Sequence, residues 1–392
     1  MTKYMKYVSC GNSFGRLTPQ GPKPLMAMLE VTQRCNMACP ICFAGSGKTG
    51  KDLSLKAIRK SLNNLLEITG TPIPIQISGG EPTLRDDLGD IIELAGSLGY
   101  RNIELITNGL RIVAEPGYLE TLKSKGLTAV YLQFDGLQPE TTRTIRGRDM
   151  SGIRTRAVQT IREADLCCTL AVVVVRGVND REIGDIVRFA IEHIDVVRAI
   201  NFQAATRLTG RFEMTEDFRG YTLAELLHLI ESQTGVGADT FLSDPLGHPD
   251  CNAMSQVYVV EGQLEPLFKY ISPEDVRRFL GDNGREKILA GFAGKSDFFF
   301  RHLMSPAAWR LIAKAAPIFG TNPYNVLKSK HILLFAKSFM EKEGMDQARI
   351  GQCCYAITTP DGVYSFCAYN NHYRFGENYS SHGKERHGCH SE

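Results

Sequence analysis

Between residues 24 and 215 the chain switches its hydrophobic period again and again, and this alternation restricts its fold more than any other feature. Short apolar runs stand at 26–32, 73–78, 102–107, 128–134, 169–175 and 198–204. Amphipathic stretches with helical spacing lie between them, near 53–68, 86–99, 116–125, 150–165 and 180–194. A strand after every helix predicts parallel strands joined by crossover helices. Six such strands form either a doubly wound open sheet or a partial barrel. In both, ligands gather beyond the carboxyl ends of the strands.

A boundary is expected near 209–221. Beyond it come a helix at 222–234, a loop and then a short strand within 240–262, and a mostly helical stretch over 272–345. Two runs flanking the turn "TPDG" predict a hairpin within 350–376, and a polar tail follows. The expected units are thus an amino-terminal segment (1–23), an α/β unit (24–215), a carboxyl-terminal cap (216–376) and the tail (377–392). The 45 Lys and Arg against 43 Asp and Glu leave a net charge of +2, which argues against a nucleic-acid partner. The first residues lack an apolar secretory core, and no run reaches the ~20 residues of a membrane span. Eleven cysteines in such a chain read as metal ligands, catalytic thiols or buried thiols in a reducing cytoplasm, not as a disulfide framework.

Directly after the first strand, "LEVTQRCNMACPICFAGSG" places Cys35, Cys39 and Cys42 at a Cys-x3-Cys-x2-Cys spacing. Structural zinc needs four ligands, usually in two distant pairs. Three thiolates crowded on one loop suit a four-iron cluster with one iron open to an outside ligand. An open catalytic zinc or incidental thiols are the ordinary alternatives.

This loop resembles the signature of the radical S-adenosylmethionine superfamily. The resemblance implies a partial (β/α)6 TIM-like barrel with a mostly helical cap that contains a small β-hairpin. It also implies a [4Fe–4S] cluster on Cys35, Cys39 and Cys42, whose open iron binds S-adenosylmethionine, and an electron donor such as flavodoxin or ferredoxin. Many members carry an aromatic before the third cysteine to hold adenine; here that position is Ile41, and Phe43 follows.

"ISGGEPTL" (77–84) ends the second strand, where the superfamily has its second motif. Gly79 and Gly80 permit close backbone approach, and the Glu81 carboxylate is a candidate acceptor for the cofactor's ammonium group; a plain turn is the alternative. Thr107 and Asn108 in "LITNGL" and Gln133 and Asp135 in "LQFDG" are polar groups at strand ends, suited to the adenosyl hydroxyls, with ordinary turn capping as the alternative. Arg176 points either at a ligand carboxylate or into solvent. Cys167 and Cys168 read as core.

Cys251, Cys353, Cys354 and Cys367 form a scattered second set: an auxiliary iron–sulfur cluster, with His248 or His372 as substitute ligands, or merely buried thiols. "HPDCNAMSQVYVVEGQLEP", "PDGVYSFCAYNN" and "LQFDGLQPETTRTIRG" are similar to a narrower group that contains the archaeal tetraether lipid synthases and radical pterin methylases. The chain departs from many of that group in lacking their cysteine-rich amino-terminal extension. The leading expectation is C–C bond formation on a lipid or isoprenoid chain. Alternatives are methylation of a pterin-like heterocycle, peptide modification, or metal binding without turnover. Apolar segments within 286–345 read as helices covering the barrel or as an interfacial face for peripheral membrane contact, and Trp309 as a packing anchor.

Overall fold

The computed structural model describes residues 14–243, 247–280, 306–320 and 329–375. Cys10, Cys389, His382, His387, His390, the polar tail, and the apolar segments at 287–294 and 298–304 lie outside these residues. The six expected strands form: β1 (Met26–Thr32), β3 (Ile75–Gly79), β4 (Ile103–Thr107), β5 (Ala129–Gln133), β6 (Cys167–Val174) and β7 (Val197–Ala204). β2 (Ile41–Cys42) lies within the cysteine loop and pairs with β8 (Arg211–Phe212). Then come β9 (Asn252–Val260), β10 (Gln263–Pro266), β11 (His331–Lys337), β12 (Tyr355–Thr359) and β13 (Gly362–Ser365).

The main sheet runs β10-β9-β11-β7-β6-β5-β4-β3-β1-β12-β13. From β11 to β12 all neighbours are parallel. β9 and β10 on one side and β13 on the other are antiparallel. The six-stranded barrel is therefore extended at both edges by strands from the carboxyl-terminal part. This corrects two expectations. Strands from the region beyond 216 are built into the barrel sheet itself, and "HILLFAK" is a strand rather than helix. A short apolar run is ambiguous by period alone; here every second side chain, Ile332, Leu334 and Ala336, is buried in the core.

The first helix, α1 (Leu55–Thr69), shows how local sequence fixes the outer layer. Ser54 caps its start by accepting from the Ala57 N–H, and Gly70 ends it in the left-handed region at φ 71°. Its face of Ile58, Leu62 and Leu65 is fully buried against the outward residues of the strands, and truncating such a leucine to alanine costs about 2–5 kcal/mol. The expected helix at 222–234 is present as Leu223–Thr234, with a Thr222/Glu225 capping box. Helices at Pro273–Leu280, Pro306–Lys314 and Ala316–Phe319 occupy part of the stretch expected to be helical. Trp309 is 51% exposed and is not a packing anchor. Among the described residues no helix is long and apolar enough to cross a membrane.

Candidate active site

The loop after β1 carries Cys35, Cys39 and Cys42, and several backbone bonds hold it. Cys35 N–H donates to Gly47 O at 2.6 Å, and Gly45 N–H to Cys42 O at 3.0 Å. The chain returning after β7 clamps the loop from outside. Arg211 stands opposite Cys42 in the β2–β8 pair, and its guanidinium donates to the carbonyls of Cys39 and Ser46, both at 3.1 Å. Burial pushes the Cys35 thiol up to about 12 and raises that of Cys39. These thiols hold their protons unless a cation takes them over, as metal ligation does.

The two glycines of "ISGGEPTL" fit this loop against β3. Gly79 has φ 130°, and a Cβ there would lie 2.1 Å from Thr32 O; one on Gly80 would lie 2.1 Å from Arg34 O. Gly80 N–H and Glu81 N–H donate to these same carbonyls, each at 2.8 Å. Glu81 itself turns inward. Its buried carboxylate accepts from Thr83 N–H, Thr83 Oγ1, Thr107 Oγ1 and Asn108 N–H at 2.7–3.2 Å. Burial raises its pKa despite these bonds. Glu81 and Thr107 therefore brace the ends of β3 and β4 and are not among the residues lining the cavity described below. Their side chains were polar at strand ends because they needed each other.

Asp135 differs from expectation in the same way. It is fully buried and bonds Arg146 through both oxygens (2.7 and 2.8 Å), Arg154 at 2.6 Å and Val173 N–H at 3.0 Å. Burial works to raise its pKa, but the two guanidinium groups prevail and hold it below the usual carboxylate range. Asp135 is thus the hub of a buried ion triad and is not among the residues lining the cavity. Arg146 reaches beyond it to the cavity and to the Cys39 thiol. Sequence reading missed Arg146, although it lies inside the quoted run "LQFDGLQPETTRTIRG".

One open cavity of about 1230 Å3 of atom-free space collects the three thiols together with Phe43, Gly79, Gly80, Asn108 and Gln133. Asn108 is fixed by donating to Asn36 Oδ1 at 2.8 Å. Phe43 packs on Phe366 at 5.6 Å between centroids, with the Arg374 guanidinium 5.2 Å from its ring. The donor set fits a [4Fe–4S] cluster. The three thiols share one cavity, yet among the described residues no three Cys, His, Asp or Glu converge on a single-ion site. A cube offers its irons at separate corners, so its thiolates need not meet at a point.

Sequence reading also missed Tyr131, Gln203, Tyr355, Phe339 and Phe366, which line this cavity. The last three come from beyond residue 216 and become site residues only because β11 and β12 join the barrel.

The thiols of the second set lie within charge range of one another, although among the described residues no three His, Cys, Asp or Glu form a group that could hold a metal ion. Cys251 precedes β9, Cys353 and Cys354 precede β12, and Cys367 follows β13. Burial raises Cys251, Cys353 and Cys367, and each of these three is raised further by the charge of other thiols of the set. Arg349 Nε donates to Cys251 Sγ at 3.1 Å, and Lys337 lies within charge range of Cys353 and Cys354. His248 borders the set through Cys251 N–H, which donates to its carbonyl at 2.9 Å, whereas His372 packs on Phe14. Arg176 lies outside the cavity, 3.8 Å from the Tyr221 ring centroid. Cys168 is core, but Cys167 is exposed, because it opens β6 on the side away from the helices.

The radical SAM superfamily profile matches residues 29–190. The 7,8-dihydro-6-hydroxymethylpterin dimethyltransferase of Methanocaldococcus jannaschii is 32% identical over 393 residues, covering 89% of this chain and 77% of that protein. A probable GTP 3′,8-cyclase of Methanothermobacter thermautotrophicus is 33% identical over 181 residues, 45% of this chain and 58% of that one. Among solved structures, Streptococcus suis SuiB bound to S-adenosylmethionine shares 19% identity over 54% of this chain and 47% of its own, with a TM-score of 0.44. The cofactors of this superfamily are a [4Fe–4S] cluster and S-adenosylmethionine, and the cysteine loop at the mouth of a parallel barrel, its glycine bracket and a similarity that runs through most of the chain make this protein a radical SAM enzyme.

Proposed function

We propose that this enzyme activates a C–H bond of a pterin-type nitrogen heterocycle in the course of its methylation. The observation that carries this reading is the extent of the similarity to the pterin dimethyltransferase. It covers 89% of the chain, and so includes carboxyl-terminal strands that help to build the cavity. When bound, the cluster supplies the electron that cleaves S-adenosylmethionine to a 5′-deoxyadenosyl radical. Cys35, Cys39 and Cys42 would hold that cluster, Gly79 and Gly80 seat their loop tightly against β3, and Asn108, Gln133 and Phe43 would line the space for S-adenosylmethionine. A small electron-transfer protein of the flavodoxin or ferredoxin type is the reductant this reading requires.

The polar groups that Tyr131, Gln133 and Gln203 place in the cavity favour a hydrogen-bonding ring over an isoprenoid chain, which offers them nothing beyond the bonds they make to one another. We further assign Cys251, Cys353, Cys354 and Cys367 to an auxiliary iron–sulfur cluster. Four thiols gathered beside Arg349 and Lys337 suit an anionic cluster, and Cys367 directly follows Phe366, which lines the cavity. The test is anaerobic reconstitution with a strong reductant. Addition of 6-hydroxymethyl-7,8-dihydropterin and a methyl donor is expected to increase 5′-deoxyadenosine formation and to yield a methylated pterin. Stimulation by a detergent-solubilised lipid extract, with none by the pterin, would overturn the reading.

A further inference from the structure

The cavity has two chemically different flanks. One is aromatic. Phe366 stacks on Tyr355 with centroids 5.2 Å apart and planes 22° apart, and Phe339 lies 4.5 Å from Phe366. The other is polar and comes from β5 and β7. Tyr131 OH accepts from Asn201 Nδ2 at 2.8 Å and from Gln203 Nε2 at 2.6 Å. Gln133 stands beside them, and Ala171 on the intervening β6 is small enough to leave space in front.

This polar flank is incompletely satisfied. Asn201 is 4% exposed, and its Oδ1 has no hydrogen-bond partner. The Tyr131 hydroxyl already accepts twice, and its proton has no acceptor shown. Turning the Asn201 amide merely exchanges the orphan, because Oδ1 would take that proton and Nδ2 would lose its acceptor. Asn201 is not among the residues lining the cavity, so what this network presents to a ligand is the remaining proton of the Tyr131 hydroxyl, which lines the cavity beside Gln203, and buried polar groups are almost always paired.

We propose that Tyr131 and Gln203, oriented by Asn201, read the amide-like edge of a flat heterocyclic substrate that packs against the aromatic wall of Phe339, Tyr355 and Phe366. This rests on the pterin reading for the choice of ring, but the recognition itself needs only a planar ring with adjacent donors and acceptors. A ring of that kind matches both flanks: stacking for its face and amide and hydroxyl groups for its edge. A site built this way discriminates against analogues that lack a hydrogen-bonding group, because the buried protein groups are then left unpaired.

The test uses the reconstituted holoenzyme, with Tyr131→Phe, which removes only one hydroxyl, and Gln203→Leu as the stronger variant. Substrate-dependent 5′-deoxyadenosine formation is measured with dihydropterin and with its 2-desamino and 4-deoxo analogues. The wild type is expected to prefer the full pterin over at least one analogue by about ten-fold or more in KM. Each variant should raise KM for the pterin by a similar factor and shrink that preference, with a smaller change in kcat. Variants that discriminate as the wild type does would overturn the proposal; a merely structural role lowers the amount of active enzyme without altering the preference. If the wild type responds to GTP and not to pterins, the pterin reading fails. The same variants must then shift its preference for GTP over inosine triphosphate, or this proposal fails as well. A wild type that responds to neither ring overturns both.

Discussion

Cys35, Cys39 and Cys42 fall within eight residues of one loop, whereas Cys251, Cys353, Cys354 and Cys367 are gathered from segments more than a hundred residues apart. The first set needs the fold only to hold it still. Gly79 and Gly80, the Arg211 clamp and the Asp135 triad all press on a loop whose ligand spacing is already local. The second set does not exist without the fold. It forms because β9, β11, β12 and β13 attach to the two edges of the barrel sheet. A thiol set encoded locally survives damage to distant strands; one assembled by topology does not.

The largest expected effect tests the local set. Cys39→Ala should lower S-adenosylmethionine cleavage by more than about 100-fold, since even the loss of an outer partner of a metal ligand costs about 10–100-fold. A variant that still forms 5′-deoxyadenosine at near wild-type rate would remove this cysteine from the cluster.

Next is Asp135→Asn, which leaves Arg146 and Arg154 buried without their counter-charge. Stability should fall by about 3–5 kcal/mol in denaturant unfolding. If Asp135 served instead as a ribose ligand, cofactor affinity would drop with stability little changed, and the two measurements separate the cases. The same group sets a pH dependence. Its folded-state pKa lies below the unfolded value near 3.9, so its contribution is complete above about pH 4 and is lost as pH falls through the folded value. Between pH 5 and 2 the wild type should lose stability more steeply than the Asn variant; equal slopes would show that the triad does not hold the carboxylate ionised.

A smaller change distinguishes the two thiol sets by composition. Wild-type enzyme purified without air should hold about eight irons and eight sulfides per chain, and Cys353→Ala about four. Four in both would confine iron to the loop. The smallest effect concerns the bracket between loop and strand. Gly80→Ala places a methyl group against Arg34 O and should destabilise by about 1–3 kcal/mol, visible as a lower Tm and weaker cluster retention; an unchanged Tm would mean that the backbone yields without cost.

The sequence by itself determined the elements and the radical-generating loop. The period of two in "IPIQIS" and the helical spacing in 53–68 act over a few residues, and Cys35, Cys39 and Cys42 carry their spacing in the chain itself. Only the tertiary structure decided what the polar strand ends do. Glu81, Thr107 and Asp135 resemble ligand groups in sequence, yet each is consumed by a partner on another element, and a hydrogen bond across a barrel leaves no trace in local spacing. The same holds for β11, whose run is short enough to read as helix until β7 and β9 pair with it. Tyr131, Gln203 and Tyr355 were invisible for that reason as well: a strand residue faces the cavity or the helices according to register, and register is settled by burial against neighbours far away in the chain.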